Sequence, residues 1–166
     1  MTDATHWFPV YIGVGSNLET PERQVREVLD LLESIAGTRW VARSSLYRSA
    51  PFGGIEQPDF VNAAAAGLTT LQPADLLAAL QDLEQQRGRE RDGPRWGPRI
   101  VDLDLLVYAG RMLDERGLTV PHPGIASRNF VLLPLQEIAP ELVIPGLGRV
   151  ASLPVDTLEP MISRIE

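Results

Sequence analysis

The apolar residues of this chain switch between a two-residue and a 3.6-residue period in a fixed order, and that order limits the fold more than any composition figure. Residues 9–14 read as a strand that ends in the turn-rich Gly15-Ser16-Asn17-Leu18. A helix follows, with Thr20 as N-cap, Pro21 at the first helical position and Glu22 at the positive end of the dipole. Val25, Val28, Leu29, Leu32 and Ile35 recur at helical spacing, and Gly37 is the stop signal. Residues 38–47 and 60–70 read as strands, the second despite a four-alanine run, with a Pro/Gly loop between them. A second helix is predicted from Pro73 to about Arg87, with Leu76, Leu77, Leu80 and Leu83 as its stripe. An Arg-rich loop then leads to the clearest strand, residues 100–109. Short strands over 112–120 and a short helix over 130–138 follow, and the Pro/Gly-rich tail is less legible.

Strand, helix, strand, strand, helix, strand is the β-α-β-β-α-β order of an α+β, ferredoxin-like core, here with a C-terminal extension. At 166 residues and 44% hydrophobic, one domain spanning 1–166 is expected. That fold serves many functions, so function has to come from the site.

All 15 basic residues are arginine; the chain has neither lysine nor cysteine. This excludes a Walker A phosphate loop, Schiff-base chemistry, thiol catalysis, disulfides and thiolate-bound metals. The net charge is −7, which disfavours a duplex-binding surface. Yet Arg87, Arg89, Arg91, Arg95 and Arg99 fall within thirteen residues. With Glu90 and Asp92 that window carries +3, and the rest of the chain −10. No stretch approaches the roughly 20 apolar residues of a membrane span. Residues 1–6 lack the features of a signal peptide, so a cytoplasmic protein is expected.

Asp102 and Asp104 stand at i and i+2 on the clearest strand, so their Cα atoms are about 6.8 Å apart on one face. The predicted alternation puts Val101, Leu103, Leu105 and Val107 on one side and Asp102, Asp104, Leu106 and Tyr108 on the other. Two carboxylates on one face need a cation or arginines to compensate them; the plainer alternative is a solvated outer face. Flanking apolar residues and the preceding arginines favour the metal reading. Arg89, Arg91, Arg95 and Arg99 suit a polyphosphate clamp, or a surface loop paired with Glu90 and Asp92. Trp96, Phe52, Phe60 and Phe130 are candidates for a planar-ligand slot as well as for core. Asn62 can read a heterocycle edge or be satisfied by backbone, and His122, between two prolines, can contact phosphate or be structural.

Five stretches, in order, resemble the 6-hydroxymethyl-7,8-dihydropterin pyrophosphokinase family of folate biosynthesis. They are Tyr11-Ile12-Gly13-Val14-Gly15-Ser16-Asn17-Leu18, Ser45-Leu46-Tyr47-Arg48-Ser49-Ala50-Pro51, Gln57-Pro58-Asp59-Phe60-Val61-Asn62-Ala63, Arg95-Trp96-Gly97-Pro98-Arg99-Ile100-Val101-Asp102-Leu103-Asp104 and Leu118-Thr119-Val120-Pro121-His122-Pro123. The resemblance implies diphosphoryl transfer from ATP to the pterin hydroxymethyl group, releasing AMP. It implies two Mg²⁺ ions held by Asp102 and Asp104, phosphate stabilisation by Arg89 and Arg99, and phosphate contact from His122. Arg91 and Trp96 belong by similarity to a loop that closes over the site. Asn62, Phe60 and Phe130 match pterin-contacting positions, and Ser49 and Phe52 positions that meet the pterin mainly through backbone. Gln81, Glu84 and Arg128 match positions near the nucleotide or phosphates. Phe60 stands where the family often has Tyr, and Gly117 where some members carry Arg. The expected partners are the substrates ATP and a reduced pterin, with neither nucleic acid nor membrane, and the protein is expected to be a monomer.

Two other functions fit the residues less well. A nucleotidyltransferase carries Gly-Ser close before Asp-x-Asp, whereas Gly15-Ser16 and Asp102 are far apart here. An RNA-binding module of the same fold class conflicts with the acidic charge and the lack of an aromatic strand motif.

Overall fold

The computed structural model describes residues 5–18, 20–51, 56–87 and 101–165. Its elements are β1 (Phe8–Ser16), α1 (Pro21–Leu31), β2 (Thr38–Arg43), β3 (Leu46–Ser49), β4 (Phe60–Thr69), α2 (Pro73–Gln86) and β5 (Asp102–Tyr108). There follow β6 (Leu113–Glu115), β7 (Leu118–Val120), α3 (Asn129–Ile138), β8 (Val143–Ile144), β9 (Gly148–Arg149) and β10 (Ile162–Ile165). The main sheet has the order β10-β3-β4-β1-β5, with β2 also paired to β4. Every ladder in it is antiparallel.

The expected β-α-β-β-α-β core is present, with one strand divided. Residues 38–47 do not form a continuous strand: the chain breaks at Ser44-Ser45. β2 pairs with the far half of β4 (Thr38↔Thr69) and β3 with its near half (Tyr47↔Asn62). The side chains explain the break. Ser44 Oγ takes the Ala64 N–H at 2.8 Å, and the Glu137 carboxylate takes the Ser45 N–H at 2.9 Å, so neither residue relies on ladder bonds alone.

Helices cover both faces. Val10, Ile12 and Val14 of β1 join Val25, Val28 and Leu29 of α1 and Leu76, Leu80 and Leu83 of α2 in one apolar cluster. Leu106, Val131, Leu132 and Leu135 anchor a second, under α3. β4 lies between them, and Ala63 to Ala66 are all buried. The alanine run that weakens the strand pattern is thus explained by packing on both sides, which overrides intrinsic propensity.

α1 is shorter than its periodicity suggests. It ends at Leu31, and a 3₁₀ turn over Leu32–Ser34 carries Ile35 into the core before Gly37 turns the chain with φ of 73°. Thr20 does hold the N-cap position, with a left-handed backbone (φ 59°) rather than the usual extended one, and makes no side-chain cap bond. At the end of α2, Arg87 reaches across to α1, donating to Glu27 at 2.6 Å and to Gln24. This member of the arginine window is a helix tie. The illegible tail returns as β10 and adds a strand beside β3. Asn129 secures it, donating to the Asp156 and Pro160 carbonyls at 2.6 Å each.

Candidate active site

The alternation through β5 holds only as far as Leu105. The register on β1 shifts between Tyr11 and Ile12, whose partners are Val107 and Leu105, so Leu106 is an extra residue. Beyond this bulge the faces exchange: Val107 joins Leu106 in the α3-side cluster, and Tyr108 joins the α1/α2 cluster. This corrects the expected placement of Val107 and Tyr108. The bulge also ties the strand to the Pro-rich loop, because the Leu106 carbonyl accepts the His122 N–H at 2.8 Å. Bulges often serve in this way to re-aim groups beside a site.

Before the bulge, Asp102 and Asp104 are half-buried and alternate with buried Leu103 and Leu105. Their partners on β1 are Gly15 and Gly13. The next strand continues both rows, with Asn62 opposite Gly15 and Ala64 opposite Gly13. Asn62, Gly15 and Asp102 thus form a line across three strands, about 10 Å from end to end. Gly15 has no positive φ, and a Cβ there would meet only Asn62 Oδ1 at 3.4 Å and the Val61 carbonyl at 4.0 Å. At Gly13 the nearest atom would be a Leu106 methyl at 3.5 Å. Neither glycine is required by backbone conformation or by a severe clash. Their effect is to leave bare backbone between a carboxamide and two carboxylates, where a flat ligand or phosphate chain can lie.

Asn62 is buried, and its Nδ2 donates to Ser49 Oγ at 2.8 Å and to the Tyr47 carbonyl at 3.4 Å. Its orientation is therefore set by β3. Ser49, buried on that strand, acts on Asn62 through its hydroxyl. Asn17, at the end of β1, donates to Gln57 Oε1 at 2.8 Å and to the Pro58 carbonyl at 3.0 Å, fixing the approach to β4. This carboxamide is only 1% exposed, and its position in a turn right after a strand is the one signal the sequence offers for it. Phe60 opens β4 and Phe130 lies in the first turn of α3; both are partly buried. Phe130 packs against the α3-side cluster.

At the sheet edge a cleft of about 320 Å³ lies between α2, β5 and the β7–His122 segment. Gln81, Glu84, Asp104, Thr119 and His122 line it. Glu84 is only 3% exposed, and its Oε2 accepts the Leu103 N–H at 2.8 Å. It therefore holds the peptide between the two aspartates. Gln81, one turn earlier, is exposed at the mouth. His122 Nδ1 accepts the Gly124 N–H at 3.0 Å, which leaves the proton of a neutral ring on Nε2. Burial, and secondarily the Arg128 charge, push its pKa below the usual 6.5, so the ring is neutral near pH 7. Arg128 caps α3 and lies against Gly124, where a Cβ would be 2.6 Å from its Nε.

Among the described residues no group of three or more His, Asp or Glu could hold a metal ion. A pair of carboxylates fits Mg²⁺, which binds through one or two carboxylates plus waters and substrate phosphates, and not a cation that needs a full protein cage. Arg89, Arg91, Arg99, Trp96 and Phe52 lie outside the described residues.

The family model described as 7,8-dihydro-6-hydroxymethylpterin-pyrophosphokinase matches residues 11–140. Over 136 residues the chain is 49% identical to the 2-amino-4-hydroxy-6-hydroxymethyldihydropteridine pyrophosphokinase of Pseudomonas aeruginosa, covering 82% of this chain and 83% of that protein. The protein of that name from Haemophilus influenzae is 44% identical over 136 residues, 82% of this chain and 84% of that one. A crystal structure of wild-type Plasmodium falciparum HPPK-DHPS superposes with a TM-score of 0.68 at 14% identity. That match covers 92% of this chain but 45% of that longer one, and it speaks to the fold alone.

Proposed function

The chain belongs to the 7,8-dihydro-6-hydroxymethylpterin-pyrophosphokinase family, and from that premise we propose how its residues carry out the reaction. It is an enzyme of folate biosynthesis, a transferase of diphosphate groups that takes ATP as co-substrate. The observation that carries the residue assignment is the row Asn62–Gly15–Asp102; on this reading the pterin lies at the Asn62 end and the phosphates at the Asp102 end.

Asn62, held by Ser49, hydrogen-bonds the pterin edge, and Phe60 and Phe130 bound the ring. By the family resemblance, Phe52 and Trp96 also contact the pterin. The hydroxymethyl group then lies over Gly15, facing the carboxylates. Its oxygen attacks the β-phosphorus of ATP; the new O–P bond forms as the bond from that phosphorus to the bridging oxygen breaks. AMP leaves with that oxygen, and the hydroxyl proton is released. Positioning and charge stabilisation carry most of such a transfer.

Asp102 and Asp104 would hold Mg²⁺, two ions by the family resemblance. Mg²⁺ held there would neutralise charge on the phosphate chain. His122 donates from Nε2 to a phosphate oxygen, with Arg128 beside it, and Arg89, Arg91 and Arg99 supply the remaining positive charge. Gln81 contacts the nucleotide at the cleft mouth. Glu84 serves the nucleotide side through β5, by keeping Leu103 and its two acidic neighbours in place. The same reading has the chain act as a monomer in the cytoplasm on small molecules, without nucleic acid, in keeping with its −7 charge.

Incubation with ATP, Mg²⁺ and 6-hydroxymethyl-7,8-dihydropterin tests this reading. AMP and pterin diphosphate in equal amounts are expected. Release of free pyrophosphate instead identifies a nucleotidyltransferase and overturns it.

A further inference from the structure

A second groove, of about 530 Å³, lies on the far side of the molecule from the aspartates, between α1, the break at Ser44-Ser45 and β10. Four strand spacings separate β10 from β5, about 19 Å. Arg26, Arg43 and Arg164 line the groove together with the two serines, and no carboxylate does. Arg43 pairs with Asp30 at 3.0 Å on the rim. Among the described residues, Arg26 and Arg164 form no ion pair, although Arg164 lies near enough to Glu137 to help depress its pKa. Glu137 is itself engaged by Tyr47 and Ser45. In a chain with an excess of seven negative charges, two guanidinium groups that line one groove outside any ion pair, with only the Glu137 charge near Arg164, are an unbalanced feature. Leu29, Leu46 and Ile165 give the groove an apolar wall, and its size falls in the range of small-molecule sites.

We propose that this groove is a second anion site, which takes an organic molecule bearing a phosphate group on an apolar body. The guanidinium fork matches a phosphate dianion with two parallel N–H···O bonds, and Arg26 and Arg164 line this groove outside any ion pair. The leucines and isoleucine then take the apolar part. This site does not depend on the aspartates, Mg²⁺ or the reaction assigned to them.

Amide NMR shifts during titration with phenyl phosphate, in the absence of Mg²⁺, test the proposal. Saturable shifts are expected at Arg26, Ser44, Ser45, Leu46 and Ile165, separate from any near Asp104 and His122. Benzoate is expected to bind at least about tenfold more weakly, lacking the second charge. The double variant R26A/R164A is expected to weaken the groove response about tenfold or more, while its melting temperature and AMP formation stay at wild-type values. Shifts that do not saturate, that survive in the double variant, or that benzoate reproduces at equal concentration overturn the proposal.

Discussion

Single residues decide the site, and the two β1 glycines are the most instructive. Gly15→Val adds a β-branched side chain where strand geometry permits it, yet places it over the line from Asn62 to Asp102. The expected result is a melting temperature within a few degrees of wild type and kcat/KM lowered at least about tenfold, through steric exclusion of the ligand. Thermal scanning and steady-state kinetics together check it. Glu84 behaves oppositely. Glu84→Ala strips the acceptor from a buried N–H and is expected to destabilise the fold by about 1–3 kcal/mol, measured by denaturant unfolding. Glu84→Gln keeps a carbonyl oxygen for that bond and is expected to recover most of the loss. His122 is depressed in pKa by burial, and by Arg128, so its Cε1–H resonance should titrate below 6.5 in the free protein. Because the unfolded chain then binds the proton more readily, the stability it contributes is present above pH 6.5 and falls as the pH drops. The identities of Asp102, Asp104, Asn62 and His122 as candidates were legible from residue type and motif. What was not legible was that Glu84 is buried against a strand amide, since only the packing of α2 on β5 makes it so.

Elements were legible where one force dominates and hidden where two compete. α2 and β5 emerged from periodicity alone. The division of β2 from β3 depends on side chains distant in sequence, chiefly Glu137 on α3, whose carboxylate takes Ser45 N–H and the Tyr47 hydroxyl at 2.6 Å. Burial and that bond push the Tyr47 pKa up to about 12, so the hydroxyl stays a donor throughout the neutral range. Burial alone raises the Glu137 pKa, but the Tyr47 and Ser45 donors outweigh it and the net shift is downward. Its contribution is therefore present above the ordinary carboxylate range and is lost as acid protonates it. Tyr47→Phe is expected to cost about 1 kcal/mol at neutral pH, and less in acid, by urea unfolding at two pH values. The β5 bulge was equally hidden, because an inserted residue leaves no mark on an alternating sequence until the partner strand is known.

At the scale of the molecule, the fold turns an alternating strand into one side of a candidate binding surface. The sheet brings Asn62, from the third core strand, two strands away from Asp102, on the last, and the central glycines clear the space between. On the proposed reading, a chain without lysine handles a polyphosphate with carboxylates, histidine and arginine in place of a Walker A loop. The return of the tail as β10 lengthens the opposite edge and forms the arginine groove, which no motif suggested. On the proposed function, diphosphate transfer depends on a metal held by the Asp102–Asp104 pair. The direct measurement is AMP formation from ATP and the reduced pterin by Asp104→Ala at saturating Mg²⁺. Turnover reduced by at least about a thousandfold, with the melting temperature retained, is expected. AMP release at a near-normal rate would contradict it.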